Sequence, residues 1–308
     1  MSKQAWVFPG QGSQSLGMLS ELATEYATIE NTFKAASDVL GYDLWDVVNN
    51  DADKLNQTEV TQPALLAASY AIFQVLKETG VALPDYMAGH SLGEYSALVC
   101  AGVINFTDGI KLVEARGQFM QQAVPAGVGA MYAIIGLDDD KVIASCQQAQ
   151  QESQEVVAAV NFNSPGQVVI AGTKSAAEKA AALCKEHGAK RALPLSVSVP
   201  SHCALMKPAA EQLSELLKSV QFNAPAVPVI NNVDVAAPID PELIKQALIE
   251  QLYSPVRWTE TVSFLAKNDV QKLLEIGPGK VLTGLVKRID KSLTGEAINT
   301  LEAINSLK

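Results

Sequence analysis

The segment that most restricts the fold of this chain is Gly-His-Ser-Leu-Gly at residues 89–93, between a strand-like and a helix-like stretch. It matches the pattern Gly-x-Ser-x-Gly, in which a sharp strand-to-helix turn exposes a serine hydroxyl at the edge of a sheet. Residues 86–88 are typical of a buried strand, and residues 95–100 are typical of a buried helix. The segment therefore predicts an α/β fold with Ser91 as a candidate nucleophile, and a plain structural turn is the alternative.

Strand and helix patterns alternate over much of the chain, which predicts a mostly parallel sheet. Residues 5–8 form an apolar strand that stops at the glycine-containing loop of residues 9–13. Amphipathic helical patterns follow at 16–40 and 62–79. The last third continues with a strand at 227–232, a helix at 241–252 and a strand at 272–276.

The middle of the chain has a different pattern. Residues 128–197 are predicted as strand, helix, strand, strand, helix and strand, with Ser-Pro-Gly at 164–166 as the turn of a hairpin. This order is the ferredoxin-like βαββαβ pattern. We therefore predict an inserted small subdomain at 128–197 and a discontinuous larger α/β unit made of 1–127 and 198–308.

The composition argues against several classes of protein. Of the 308 residues, 48% are hydrophobic and 18% are charged, so the chain can bury a large core. The net charge of −10 argues against a nucleic-acid partner, and no apolar run approaches the length of a membrane helix. The four cysteines form no Cys-x-x-Cys pair, which indicates neither a zinc site nor a disulfide framework. We expect a soluble, cytoplasmic protein.

A serine nucleophile needs a base, most often histidine, and the chain has three histidines. His187 is predicted at the polar end of a helix, where the helix dipole or solvent explains it. His90 adjoins Ser91 on the same turn, so we expect its side chain to point away from the serine and to be free to contact a substrate. His202 follows a strand in a loop at the sheet edge and is the candidate base; a core histidine is the alternative.

Arg116 lies in an otherwise apolar stretch between Val113 and Met120. A lone arginine on a helix is usually solvated. A buried guanidinium without a partner would be costly, however, so these apolar neighbours indicate an anionic partner for Arg116.

Several blocks of this sequence resemble the malonyl-CoA:acyl carrier protein transacylases, the type II fatty-acid synthesis members of the acyltransferase family. In chain order the blocks are residues 8–14, 62–64, 89–95, 116–117 with Met120, 163–167, 198–202, 251–253 with 255–256, and 275–279. They span nearly the whole chain. The resemblance implies an α/β-hydrolase-like large subdomain and a ferredoxin-like small one, in agreement with the strand and helix pattern.

The resemblance also implies roles for individual residues. Ser91 would be the acylated nucleophile and His202 its general base, oriented by a carbonyl oxygen of Gln251. The backbone N–H groups of Gln11 and Leu92 would form an oxyanion hole, where each donor contributes roughly 10²–10³ in rate. In the same way, Arg116 would bind the malonyl carboxylate through its planar fork.

The implied reaction moves a malonyl group from coenzyme A to the phosphopantetheine thiol of an acyl carrier protein, by ping-pong kinetics through a malonyl-serine. No metal or redox cofactor is expected, because the thioester is already activated. A serine hydrolase or thioesterase is the alternative, but such enzymes place an acidic residue between the serine and a late histidine. A non-catalytic carrier-binding subunit would not need Ser91, His202 and Arg116 together.

Carrier proteins of this pathway are acidic, so a basic surface is expected to dock them despite the net charge of −10. The candidates are Lys190, Arg191, Lys287 and Arg288. The alternative is that Lys287, Arg288 and Lys291 only line the solvated face of a helix. We expect the protein to be a monomer.

Overall fold

The computed structural model describes residues 3–197 and 199–308, which form two β-sheets surrounded by helices. The strands are Lys3–Phe8 (β1), Tyr86–Gly89 (β2), Gly129–Ile135 (β3), Val157–Ser164 (β4), Gln167–Thr173 (β5), Arg191–Pro194 (β6), Val229–Ile230 (β7), Val270–Ile276 (β8) and Thr294–Ile298 (β9). The helices are Ser20–Glu25 (α1), Ala27–Leu40 (α2), Leu44–Asn50 (α3), Ala52–Leu55 (α4), Thr58–Glu78 (α5), Leu92–Cys100 (α6), Phe106–Ala123 (α7), Asp139–Ser153 (α8), Lys174–Glu186 (α9), Lys207–Leu217 (α10), Pro241–Gln251 (α11), Trp258–Lys267 (α12), Val281–Ile289 (α13) and Leu301–Asn305 (α14).

The larger sheet is parallel and has the strand order β7-β2-β1-β8-β9. Its central strand β1 is buried on both faces: Trp6 and Phe8 pack into one core cluster, and Ala5 and Val7 pack into another. In β1 and β2, Phe8 pairs with Gly89, so the loops that follow the two strands are neighbours. Parallel α/β sheets bind ligands at this carboxyl edge.

The smaller sheet is antiparallel and has the order β4-β5-β3-β6, with α8 and α9 packed against it. Its element order is the predicted βαββαβ pattern. A backbone bridge from Asn161 to Val256, with hydrogen bonds on both sides of Val256, joins it to the segment before α12. The predicted fold, a mostly parallel sheet with a ferredoxin-like second sheet, is confirmed. The exact subdomain limits stay a prediction, and Ser198, at the second boundary, lies outside the described residues.

Some predicted elements have the wrong extent. The helix predicted at 16–40 is two helices, because Tyr26 is extended (φ −124°, ψ 100°). The strand predicted at 227–232 is only β7, since Pro228 has no N–H and a turn begins at Asn231. The strand predicted at 190–197 is only β6, which ends at Pro194 and is followed by one further backbone hydrogen bond to β3, from the Leu195 N–H to the Met131 oxygen at 2.9 Å. Among the described helices, none is both long and apolar enough to cross a bilayer.

Candidate active site

Ser91 lies on the turn between β2 and α6 with φ 53° and ψ −111°, a conformation that non-glycine residues rarely adopt. The glycines on both sides make this turn possible. A Cβ on Gly89 would lie 1.9 Å from the carbonyl carbon of Gly93, and a Cβ on Gly93 would lie 2.0 Å from the Phe8 oxygen. The pattern Gly-x-Ser-x-Gly is therefore a steric requirement, and the turn is the predicted strand-to-helix elbow.

His202 contacts the Ser91 hydroxyl directly. The distance from Ser91 Oγ to His202 Nε2 is 2.8 Å, and His202 Nδ1 lies 2.7 Å from the main-chain oxygen of Gln251. Because a carbonyl oxygen only accepts, Nδ1 carries the proton and Nε2 is free to accept from the serine. Burial, reinforced by the charge of Arg116, lowers the pKa of His202 to about 3. The imidazole is thus neutral near pH 7, which is the form that can act as a base.

Gln251 contributes two separate groups to the site. Its main-chain oxygen accepts a hydrogen bond from His202, whereas its buried side chain binds other residues. The side-chain Nε2 donates to the main-chain oxygen of Ser91 at 3.0 Å and to Glu94 Oε2 at 2.9 Å. The side-chain Oε1 accepts from Arg116 at 2.9 Å. The carbonyl that orients the histidine therefore belongs to the backbone.

Arg116 is 1% exposed and is held by neutral groups. Its two terminal nitrogens donate to Gln62 Oε1 at 2.8 Å, to Gln251 Oε1 at 2.9 Å and to Ser91 Oγ at 3.3 Å. Within the described chain its Nε has no hydrogen-bond partner. The guanidinium therefore faces the serine hydroxyl without a carboxylate in contact, and it retains capacity for an anion.

A cavity of about 280 Å³ lies above the elbow, between the two sheets. The large-sheet side contributes Gln11, His90, Ser91, Leu92, Arg116 and His202, and the small-sheet side contributes Met131, Asn163, Gln167 and Val169. Leu92 is the first residue of α6, where N–H groups have no acceptor inside the helix. Gln11 follows Gly10. A Cβ added to Gly10 would lie 2.4 Å from the main-chain oxygen of His90, so this loop closely approaches the elbow.

The other two histidines differ in position. His90 lines the cavity and its Nε2 lies 2.8 Å from Asn163 Oδ1, a contact between the elbow and the small sheet. Burial lowers its pKa. His187 is exposed after α9, with Nδ1 2.9 Å from Ser145 Oγ, and it does not line the cavity.

Residues 5–304 match the model of the acyl transferase domain family. This chain belongs to the acyl transferase family. It is 63% identical to a malonyl CoA-acyl carrier protein transacylase of Haemophilus influenzae, over 100% of this chain and 99% of that protein.

Solved structures of this acyl transferase family superpose closely. An acyl carrier protein S-malonyltransferase from Vibrio cholerae matches with a TM-score of 0.97 and 64% identity, over 100% of both chains. A malonyl-transacylase in complex with its type II PKS acyl-carrier protein matches with a TM-score of 0.98 and 58% identity, over 99% of both chains.

Four exposed basic residues of this acyl transferase were predicted to dock a carrier. Arg191 on β6 pairs with Ile135 on β3, which pairs with the cavity residue Gln167 on β5. Arg288 on α13 donates to Gln167 Oε1 at 3.0 Å. Lys190 and Lys287 adjoin these arginines in sequence, and within the described chain none of the four is paired with a carboxylate. Arg288 thus contacts the cavity residue Gln167, and Arg191 lies two strands from it in the small sheet.

Asn232 and Glu94 were not predicted as functional residues. Asn232 Oδ1 accepts the Ser91 N–H at 2.8 Å, and its Nδ2 donates to the Gly89 oxygen at 2.6 Å. Glu94 accepts the Asn232 N–H at 2.9 Å. The only sequence signal was polar residues, Asn231 and Asn232, at the carboxyl end of a predicted strand, where α/β folds place ligand contacts.

Proposed function

We propose that this chain transfers a malonyl group from malonyl-CoA to the phosphopantetheine thiol of an acyl carrier protein, through a malonyl ester on Ser91. The observation that carries this proposal is the buried Arg116 guanidinium 3.3 Å from the Ser91 hydroxyl. A malonyl ester would place its free carboxylate in the same small cavity. The names of the relatives, and the solved complex of one with its carrier protein, support the same reaction.

In the first half-reaction, Ser91 Oγ attacks the thioester carbonyl while His202 Nε2 takes the hydroxyl proton. The oxyanion then accepts hydrogen bonds from the N–H groups of Gln11 and Leu92. Collapse of this intermediate breaks the C–S bond, and His202 returns the proton to the departing coenzyme A sulfur. In the second half-reaction the carrier thiol attacks the malonyl ester while His202 Nε2 takes the thiol proton. The bond from Ser91 Oγ to the acyl carbon then breaks, His202 returns the proton to Ser91 Oγ, and the malonyl group leaves as a thioester of the carrier, which predicts ping-pong kinetics.

Arg116 gives the site its preference for a dicarboxylic acyl group. A free carboxylate can accept from the Arg116 nitrogens, replacing the long contact to Ser91 Oγ. An acetyl group has no such charge. Removing the arginine strands the malonyl carboxylate in a buried place, at a cost of a few kcal/mol, or about 10²–10³ in rate.

The test measures the rate of Ser91 acylation after rapid mixing with malonyl-CoA or with acetyl-CoA. Mass spectrometry of the peptide that contains Ser91 quantifies the acylated form. Arg116→Ala should lower the malonyl-to-acetyl ratio of specificity constants by roughly 100-fold or more, with acetylation nearly unchanged. Lys111→Ala, an exposed cation on the same helix, is the matched control and should keep the wild-type ratio. Ser91→Ala should show no label. An unchanged ratio in Arg116→Ala would reject the role of Arg116 and with it the malonyl assignment.

We also propose that Lys190, Arg191, Lys287 and Arg288 form the carrier surface, because Arg288 donates to the cavity residue Gln167 and Arg191 lies two strands from Gln167 in the same sheet. Their charge fits an acidic carrier and the phosphate of its phosphopantetheine arm. We further propose that the protein is a monomer in a reducing cytoplasm and needs no resident metal or redox cofactor. The four free, buried cysteines are compatible with it.

A further inference from the structure

Glu94 is a buried carboxylate beside the site that the proposed reaction does not use. It is 2% exposed and lies on the first turn of α6, three residues after Ser91. Its Oε2 accepts from the Asn232 N–H and from Gln251 Nε2, both at 2.9 Å. Both donors also bind the Ser91 backbone, Asn232 through its side chain and Gln251 through its amide. Glu94 therefore supports the elbow from behind.

The Gln251 amide joins Glu94 to Arg116. Its oxygen accepts from the guanidinium at 2.9 Å, and its nitrogen donates to the carboxylate at 2.9 Å. The opposite charges fix which way the amide points, because the reversed amide would direct N–H at a cation and oxygen at an anion. The cation and the anion thus balance each other across one amide group.

A substrate carboxylate would disturb this balance. When Glu94 is ionised, the empty site holds one positive and one negative charge, and a bound malonyl carboxylate adds a second negative charge in a buried place, where unbalanced charge is costly. At an effective dielectric constant of about 20, two like charges about 8 Å apart repel by the equivalent of roughly 30-fold in an equilibrium constant. If both carboxylates stay ionised, malonyl-CoA binds more weakly. Full affinity therefore requires either Glu94 or the malonyl carboxylate to be protonated.

Glu94 is the group able to lose it. Burial raises the pKa of Glu94 to about 7, and Asp234 adds to this, against the lowering effects of Gln251, Asn232 and Arg116. The other titratable neighbours keep one form near neutral pH. Burial lowers the pKa of His202 to about 3, and burial raises the pKa of Tyr95 to about 12.

We propose that Glu94 is a positioning and specificity-determining residue: through the Gln251 amide it orients Arg116 in the empty site, and it takes up a proton from solvent when a malonyl carboxylate binds there. This inference rests on the proposed function, because it assumes that Arg116 binds the acyl carboxylate. It predicts that malonyl recognition weakens with rising pH while acetyl recognition does not.

The direct test is proton uptake during binding. Ser91→Ala protein binds malonyl-CoA without acylation, and the binding heat is measured at about pH 8 in buffers of different ionisation enthalpy. Binding of malonyl-CoA should take up roughly 0.7 proton more than binding of acetyl-CoA, which carries the same nucleotide phosphates. The additional substitution Glu94→Gln should abolish the difference. Equal proton uptake for the two ligands would overturn the proposal.

The kinetic test is the malonyl-to-acetyl ratio of specificity constants for Ser91 acylation. Between about pH 6 and pH 8 the wild-type ratio should fall by roughly tenfold, because free Glu94 ionises over this range. Glu94→Gln keeps an oxygen for both donors and should give a flat ratio, at or above the wild-type value at low pH. Titration of His202 or of coenzyme A affects both substrates and cancels in the ratio.

Glu275→Gln is the matched control. Glu275 is also fully buried and accepts from Leu282 and Thr283 at the start of α13, without contact to Arg116. It should lower stability but keep the wild-type pH dependence of the ratio. A pH-dependent ratio in Glu94→Gln would reject the role of Glu94 alone, whereas an Arg116→Ala protein with the wild-type ratio would reject the proposed function itself.

Discussion

Gln251→Ala separates the two groups that this residue contributes to the site. The main-chain oxygen that accepts from His202 Nδ1 remains in the variant, so the base keeps its tautomer and its contact with Ser91. The side-chain amide that binds Arg116, Glu94 and the main-chain oxygen of Ser91 is lost. We therefore expect the variant to lose stability and malonyl recognition while it retains much of its intrinsic acylation chemistry.

The size of the effect follows from the lost hydrogen bonds. Two of the three join buried charged groups and are each worth about 1.5–3 kcal/mol, and the third is worth about 1 kcal/mol. Because water can enter the vacated space and offset part of this, the free energy of unfolding should fall by about 3–5 kcal/mol. Arg116 loses one of its anchoring acceptors, so malonylation should slow by roughly 30- to 100-fold, and acetylation by less than about tenfold.

Urea denaturation measures the first quantity, and rapid-mixing acylation with malonyl-CoA and acetyl-CoA measures the second. His202→Ala provides the contrast, because loss of the base should slow both acyl groups by the same large factor. If Gln251→Ala slowed acetylation as severely as malonylation, in a protein that is still folded, the side chain would act on His202. The division between main-chain and side-chain roles would then be wrong.

Two further predictions concern the carrier surface and the elbow. Charge reversal at Lys287 and Arg288 should raise the apparent KM for carrier protein several-fold, and more steeply at low salt, while the apparent KM for malonyl-CoA stays unchanged. Lys267→Glu, a change at an exposed cation at the end of α12, should change neither. Equal effects on both substrates would remove Lys287 and Arg288 from the carrier surface. Gly93→Ala would place a Cβ 2.0 Å from the Phe8 oxygen, so acylation should fall by orders of magnitude and thermal stability should drop. Gly284→Ala, which has open space around the added Cβ, should be tolerated. A fully active Gly93→Ala protein would contradict the steric account of the elbow.

The sequence predicted the features that depend on local pattern. The elbow could be recognised because two glycines and a serine are required at fixed spacing, and the ferredoxin-like pattern because its strands and helices alternate in a contiguous segment. Burial of Arg116 followed from its apolar neighbours. One strand length failed at Pro228, where a missing N–H outweighed the apolar pattern.

The network behind Ser91 could not be predicted from local pattern. Asn232 is 141 residues from Ser91 in sequence, and Gln251 is 157 residues from Glu94. Such contacts depend on the strand order, which places β7 beside β2. Gln251 by itself is typical of a helix end, and nothing in its neighbourhood indicates that its backbone and side chain serve different partners.

The position of Glu94 also explains why residue 251 has a neutral amide side chain, while its main-chain oxygen orients His202. A carboxylate in place of the Gln251 amide would lie within hydrogen-bond distance of Arg116 and would pair with it directly. That pair would occupy the nitrogens that a malonyl carboxylate needs. The main-chain oxygen of Gln251 fixes the histidine tautomer whichever side chain residue 251 carries. Its support for the imidazolium is weaker than that of a carboxylate, which is tolerable because a thioester is already an activated acyl donor. Placing the negative charge of Glu94 one amide farther away keeps Arg116 oriented, leaves it available to the substrate, and allows Glu94 to release its charge when the substrate brings its own.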